Sequence, residues 1–151
     1  MTAEQMLDAM NLKLPEPVPP IAMYVPVKRA GNLLYVSGQA AIRDGALVYE
    51  GKLGRELTVD EGYQAARIAG LNILAILRAH LGSLDLVKSV VKINGYVACT
   101  PDFVDQPKVI NGASDLMTRV FGENGRHARS AIGQNVLPLD TPVEVEGIFE
   151  V

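Results

Sequence analysis

"TVDEGYQAARIAGLNILAILRAHLGSLDLVKSVVKINGYVAC", Thr58–Cys99, changes its hydrophobic period midway, and that change decides the fold. Ala66, Gly70, Ile73, Leu74, Leu77 and Leu81 recur at helical intervals and form one core-facing stripe. Thr58 followed by Glu61 has the spacing of a capping box, which would satisfy free N–H groups at the helix start. Gly82 supplies the stop. Beyond it the period falls to two. Val87, Val91, Ile93, Val97 and Cys99 face one way, while Lys88, Lys92, Asn94 and Tyr96 face the other. A capped helix followed by a long half-apolar strand predicts helices packed against one face of a sheet.

The flanking segments extend this pattern. Upstream, "MYVPVKRAGNLLYVSGQA" reads as a hairpin turning at Ala30-Gly31-Asn32, with Pro26 restricting its first arm to an edge. A second turn at Asp44-Gly45 precedes a short strand in "ALVYE" and a glycine-rich loop. Downstream, Asp105-Gln106-Pro107 opens a second long helix striped by Ile110, Ala113, Leu116 or Met117, and Val120, closed by Gly122. Two closing strands follow. The fold class is therefore α+β, a mixed β-sheet with two helices on one face. Residues 1–20 hold a short amphipathic segment (Met6, Leu7, Met10) and the extended "PEPVPP", an N-terminal extension packed on a single domain spanning 21–151. The second sheet face is polar but regular, and self-association would cover it.

Composition excludes several functions. A net charge of −3, no Trp and few aromatics argue against nucleic-acid binding by charge or by stacking. Two distant histidines and one cysteine, Cys99, form no metal-ligand cluster and no internal disulfide. Neither a basic, apolar leader nor a membrane-length apolar run is present, so a cytoplasmic protein is expected, with no membrane partner. Phosphate-loop, dinucleotide and G-x-S-x-G motifs are missing, so the expectation is chemistry without a cofactor, run on positioning and acid–base groups.

The closing "HARSAIGQNVLPLDTPVEVEGIFEV", His127–Val151, carries the charges that matter. Its alternation puts His127, Arg129 and Ala131 on one side of one strand, and Glu144, Glu146 and Ile148 on one side of the other. If the strands pair, Arg129 and a glutamate share a face. An arginine's planar fork suits a carboxylate ligand, and a glutamate raised by burial can move protons. An ordinary cross-strand ion pair on a solvated face is the plainer explanation, and spacing alone favours it. Ser37-Gly38 at a strand end, Tyr24 in an extended segment and Asn111 within a helix are further candidates, each with a simple structural alternative. His127 reads as a rim residue and Cys99 as an inert core thiol.

The segments "GNLLYVSGQA", "VVKINGYVACTPDF", "VINGASDLMTRVFG" and "HARSAIGQNVLP" with the final "VEVEGIFEV" resemble the Rid family, also called YjgF-like proteins, from about Tyr24 to the C-terminus. The resemblance implies a chorismate-mutase-like fold assembled as a homotrimer with pockets between subunits. It also implies hydrolysis of reactive enamines and imines, such as 2-aminoacrylate or 2-iminopropanoate, to a 2-keto acid and ammonia without a cofactor. Carried onto this sequence, it assigns Arg129 to the substrate carboxylate and Glu144 to water and proton movement. Tyr24, Ser37 and Asn111 become pocket residues, with backbone groups near Gly38 and Ala131. Ala131 stands where members commonly carry cysteine, and His127 where proline is frequent. The N-terminal segment and the Asp44–Glu56 loop are longer than in compact members, which marks a divergent branch. Alternatives are a non-catalytic sensor of small carboxylates, or an endoribonuclease or translation inhibitor, as described for some members.

Overall fold

The computed structural model describes residues 1–151. Its strands are β1 (Val27–Ala30), β2 (Leu33–Ala40), β3 (Ile42–Arg43), β4 (Ala46–Leu47), β5 (Ser89–Ala98), β6 (Ala128–Gln134) and β7 (Val143–Glu150). Three helices are α1 (Ala3–Ala9), α2 (Val59–Leu81) and α3 (Gln106–Phe121). Five strands form one mixed sheet in the order β1-β2-β7-β5-β6, and β3 with β4 makes a separate small hairpin. β5 and β6 run parallel, as their crossover through α3 requires, and the other pairs are antiparallel. Helices α2 and α3 cover one face, so the fold is the expected α+β arrangement.

Local chemistry places these elements. Thr58 and Glu61 form both bonds of the predicted capping box, and Gly82 closes α2 in the left-handed conformation. A second capping box, Thr2 with Gln5, starts α1. The Glu4 carboxylate then accepts from the Leu84 N–H and meets Arg78, docking α1 against the end of α2. Gly112 lets α3 approach α2 closely, since a methyl there would overlap the Tyr63 carbonyl. Leu7, Ile73, Leu74, Ile93, Ile110 and Phe149 are buried in one continuous core between helices and sheet. No helix is long and apolar enough to cross a membrane.

Two expectations need correction. Val91 does not face the core: a bulge between Val90 and Lys92 shifts the phase, burying Val90 and leaving Val91 exposed. More consequentially, β6 and β7 do not pair. β5 lies between them, paired to both. Arg129 sits beside Ile93, whose side chain points to the helices, whereas Glu144 sits beside Tyr96 on the opposite face. Arg129 and the glutamates therefore do not share a face.

The face away from the helices carries half-buried Asn94, Tyr96, Glu146 and Ile148, with Tyr35 and Ile132 exposed. Helix α2 is buried almost all round in its middle turns, and Asn72 there is 1% exposed. Its amide donates to the carbonyls of Ala40 at 3.2 Å and Ile42 at 2.9 Å, pinning the chain where it leaves β2. Asn72→Leu leaves both carbonyls short of a donor and is expected to destabilise the fold by about 1–3 kcal/mol. Urea denaturation measures this, and an unchanged midpoint would contradict the pinning role.

Candidate functional site

At the β2–β7 junction the register shifts between Val36 and Gln39, so Ser37 and Gly38 bulge out of the ladder. The Ser37 hydroxyl donates to the Val25 carbonyl at 2.6 Å, tying the bulge to the segment that carries Tyr24. Gly38 has a steric reason to be glycine: a Cβ would overlap the Glu144 carboxylate, which lies directly over it. Tyr24, Ser37, Gly38, Glu144 and Glu146 line one cavity of about 560 Å³. Its other walls are largely apolar, with Ile21, Ile42 and Leu139 among them, and residues 18–22 of the N-terminal segment close one side.

The two carboxylates differ. Glu146 accepts a short hydrogen bond from the Tyr96 hydroxyl and a longer one from Asn94 at 3.5 Å. That bond, with burial and the charges of Glu146 and Glu144, pushes Tyr96 up to about 12, so the phenol stays a donor. No protein donor reaches Glu144. Burial, then the negative charge of Glu146, raises it above the ordinary carboxylate range. Glu146 thus has two donors from its own chain, whereas the Glu144 carboxylate has none and opens on the cavity. No Lys, Arg or His lines the cavity.

The cation stands elsewhere. Arg129, on the edge strand β6, lies two strands from Glu144, about 10 Å across the sheet, and projects from the other face. Its Nη1 donates to Asn111 Oδ1 at 2.8 Å and Ser114 Oγ at 3.1 Å, and its Nη2 to the Pro107 carbonyl at 3.3 Å. A guanidinium has five N–H donors. Three are engaged, which leaves Nε–H and one Nη2–H without a partner in this chain. Ala131 follows on the same side of β6, beside Gly95 and partly buried against the core.

The candidates thus fall into two groups within one chain. Tyr24, Ser37, Gly38 and Glu144 gather at the cavity, while Asn111, Arg129 and Ala131 belong to the α3–β6 edge. His127 is not a rim residue. It is half-buried, with Nε2 at 2.9 Å from Ser114 Oγ and Nδ1 at 2.7 Å from the Gly125 carbonyl. Burial lowers its pKa, with Arg129's charge acting in the same direction against the Gly125 bond. Cys99 is only partly buried, beside the Gln106 amide at 3.7 Å. The sequence reading passed over Ser114, although Ser114 lies three residues after Asn111 and so on the same helical face. It also missed the Tyr96–Glu146 bond, a diagonal contact across β5 and β7: Glu146 is paired with Asn94, two residues before Tyr96. No three His, Cys, Asp or Glu side chains are grouped to hold a metal ion.

The chain has clear relatives. A family model described as YjgF/chorismate mutase-like, putative endoribonuclease, matches residues 4–150. Protein TCP17 of Trypanosoma cruzi is 45% identical over 145 residues, covering 95% of this chain and 91% of that protein. The crystal structure of a putative endoribonuclease from Shewanella oneidensis is 37% identical, with a TM-score of 0.96 over 100% of both chains. RidA from an Antarctic Psychrobacter is 26% identical, with a TM-score of 0.62 over 90% of this chain and 94% of RidA. With the family matched over nearly its whole length and the mixed sheet backed by two helices, this chain belongs to the YjgF/chorismate-mutase-like, or Rid-like, family.

Proposed function

We propose that the protein hydrolyses reactive enamines and imines of the 2-aminoacrylate/2-iminopropanoate type to a 2-keto acid and ammonia, at sites shared between neighbouring copies of a homotrimer. The observation that carries this reading is the separation of complementary parts. A cavity with an unpartnered, partly buried carboxylate lacks any cation, and an arginine with two unpartnered N–H groups faces away from it. Each group completes the other only if a second copy brings its β6 edge to the cavity mouth. A cyclic, head-to-tail contact does this with the same surfaces in every copy. The polar sheet face bearing Tyr35 and Ile132 supplies a surface for that association.

In the completed site Arg129 holds the substrate carboxylate through its unpartnered N–H groups. Water adds to the carbon of the protonated imine, C=NH2⁺, as Glu144 takes one of the water's protons, and the C=N electron pair moves to nitrogen, giving the neutral amine of the tetrahedral carbinolamine. Glu144 then returns that proton to the nitrogen. The C–N bond breaks as the hydroxyl oxygen forms the keto C=O and gives its proton back to the Glu144 carboxylate, and the departing ammonia carries that proton away as ammonium. Because imines already hydrolyse in water, the contribution of proton transfer, about 10²–10⁴-fold, is sufficient. Tyr24, Ser37 and Asn111 shape the pocket, with the Gly38 and Ala131 backbones beside it. The expected compartment is the cytoplasm.

The family description and the name of the Shewanella relative favour a second reading, RNA cleavage. A net charge of −3 and a cavity lined by two glutamates oppose it. The deciding assay generates 2-iminopropanoate from alanine with an amino-acid oxidase and follows pyruvate and ammonia, alongside cleavage of a labelled single-stranded RNA. Faster imine loss without RNA cleavage is the expected result. RNA cleavage without imine hydrolysis would overturn the assignment.

A further inference from the structure

Ser114 and His127, which the scheme above does not use, join Arg129 in a directed chain of hydrogen bonds. The Gly125 carbonyl can only accept, so the proton on His127 sits on Nδ1, 2.7 Å away. In the neutral ring Nε2 is then an acceptor, and the contact at 2.9 Å is a bond donated by the Ser114 hydroxyl. With its proton committed to His127, Ser114 offers lone pairs to Arg129 Nη1 at 3.1 Å. Every donor points the same way, from guanidinium to hydroxyl to imidazole to carbonyl, an arrangement in which successive bonds polarise and strengthen one another.

Both ends of the chain are anchored. Gly125 is buried in the turn after α3, and a Cβ there would overlap the Met117 carbonyl, so its own carbonyl cannot drift. Ser114 lies three residues beyond Asn111 on α3, so the two acceptors on Nη1 come from one rigid helix. Fixing both protons of Nη1 sets the rotation of the guanidinium plane. That rotation decides where the free Nε–H and Nη2–H point.

We propose that Ser114 and His127 are positioning residues that orient the Arg129 guanidinium for a carboxylate ligand. The inference rests on Arg129 being the carboxylate grip of the proposed function. It adds that the grip is set by a relay running back through the fold.

The test uses the whole protein, with pyruvate as the carboxylate probe. Ser114→Ala and His127→Leu are each expected to raise the Kd for pyruvate, and the KM for the imine, by about 3–10-fold, the loss of one hydrogen bond, with kcat much less affected. The double variant should be no worse than either single one, because both cut the same chain. His127→Gln places an amide oxygen near the Nε2 position and should restore the Kd, whereas a merely structural histidine would not be rescued through ligand affinity. Unchanged Kd in both single variants, or effects that add, would overturn the relay. If the wild-type protein neither binds pyruvate nor hydrolyses the imine, the proposed function itself fails. The relay is then decided by nitrogen NMR: a proton on Nδ1 of His127, with Arg129 guanidinium signals that move in Ser114→Ala, supports it, and a proton on Nε2 refutes it.

Discussion

Arg129→Ala should lower kcat/KM for 2-iminopropanoate by a factor on the order of 10²–10³ and abolish measurable pyruvate binding. Truncating one member of a desolvated, hydrogen-bonded charge pair costs about 2–5 kcal/mol, and here the other member is the substrate's own carboxylate. The fold should tolerate the change. Arg129 lies on an edge strand, and the groups it releases are exposed Asn111, the Pro107 carbonyl and half-buried Ser114. Arg129→Lys should recover little. An ammonium has the charge but not a planar fork that bonds Asn111, Ser114 and Pro107 while keeping two donors for the ligand. Steady-state kinetics with calorimetric pyruvate titration checks this. Wild-type rates in Arg129→Ala would remove the residue from the reaction and leave it as a clamp between α3 and β6.

The physics of which bonds are local explains what the sequence disclosed. Thr58, Glu61 and Gly82 bound α2 through contacts within a few residues of each other, so their meaning could be read directly. The alternation of β7 was equally plain: Val143, Val145 and Phe149 are buried and Glu144 and Glu146 are not. Strand pairing is not local. Consecutive strands are usually neighbours, which is why Arg129 and Glu144 were expected on one face. The α3 crossover instead makes β6 parallel to β5, and β7 inserts between β2 and β5. The side-chain parity of each strand was legible, and the partner was not. Val91 fails for a related reason, since one bulge residue reverses the phase at the start of β5 and buries Val90 instead, whereas Val87, ahead of the strand, is buried as read. Within the site, the Ser37-Gly38 bend was visible as a glycine at a strand end, but its cause, the Glu144 carboxylate over Gly38, comes from a strand more than 100 residues away. Ser114 carried no signal beyond its helical spacing from Asn111, because a mid-helix serine is commonly just solvated.

Glu144→Gln should cost about 10²–10⁴-fold in kcat, the usual contribution of a positioned acid–base group, while leaving pyruvate affinity nearly intact. Its pH profile gives the sign. Burial and the Glu146 charge hold Glu144 above its ordinary 4.5, and the form that accepts water's proton is the deprotonated one. The acid limb of kcat should therefore lie above the ordinary carboxylate range and vanish in Glu144→Gln. In kcat/KM, which reports the free enzyme, the limb should lie lower, because an Arg129 charge not yet neutralised by substrate offsets the burial. The same raised value makes Glu144's share of folding stability complete at pH below 4.5 and lost as pH climbs through the folded value. The strongest consequence comes from combining the two inactive proteins. If Arg129 of one copy works with Glu144 of the next, co-refolding equal amounts of Arg129→Ala and Glu144→Gln produces intact sites wherever the right neighbours meet. In a cyclic, head-to-tail assembly that is about one quarter of all sites, so about a quarter of wild-type activity should return from two preparations that each have almost none. A site built within one chain cannot be rescued this way, since every copy would still carry a broken one. Absence of recovery in mixed oligomers, verified as mixed by native mass spectrometry, would show that the cavity and the arginine do not act across the boundary between copies.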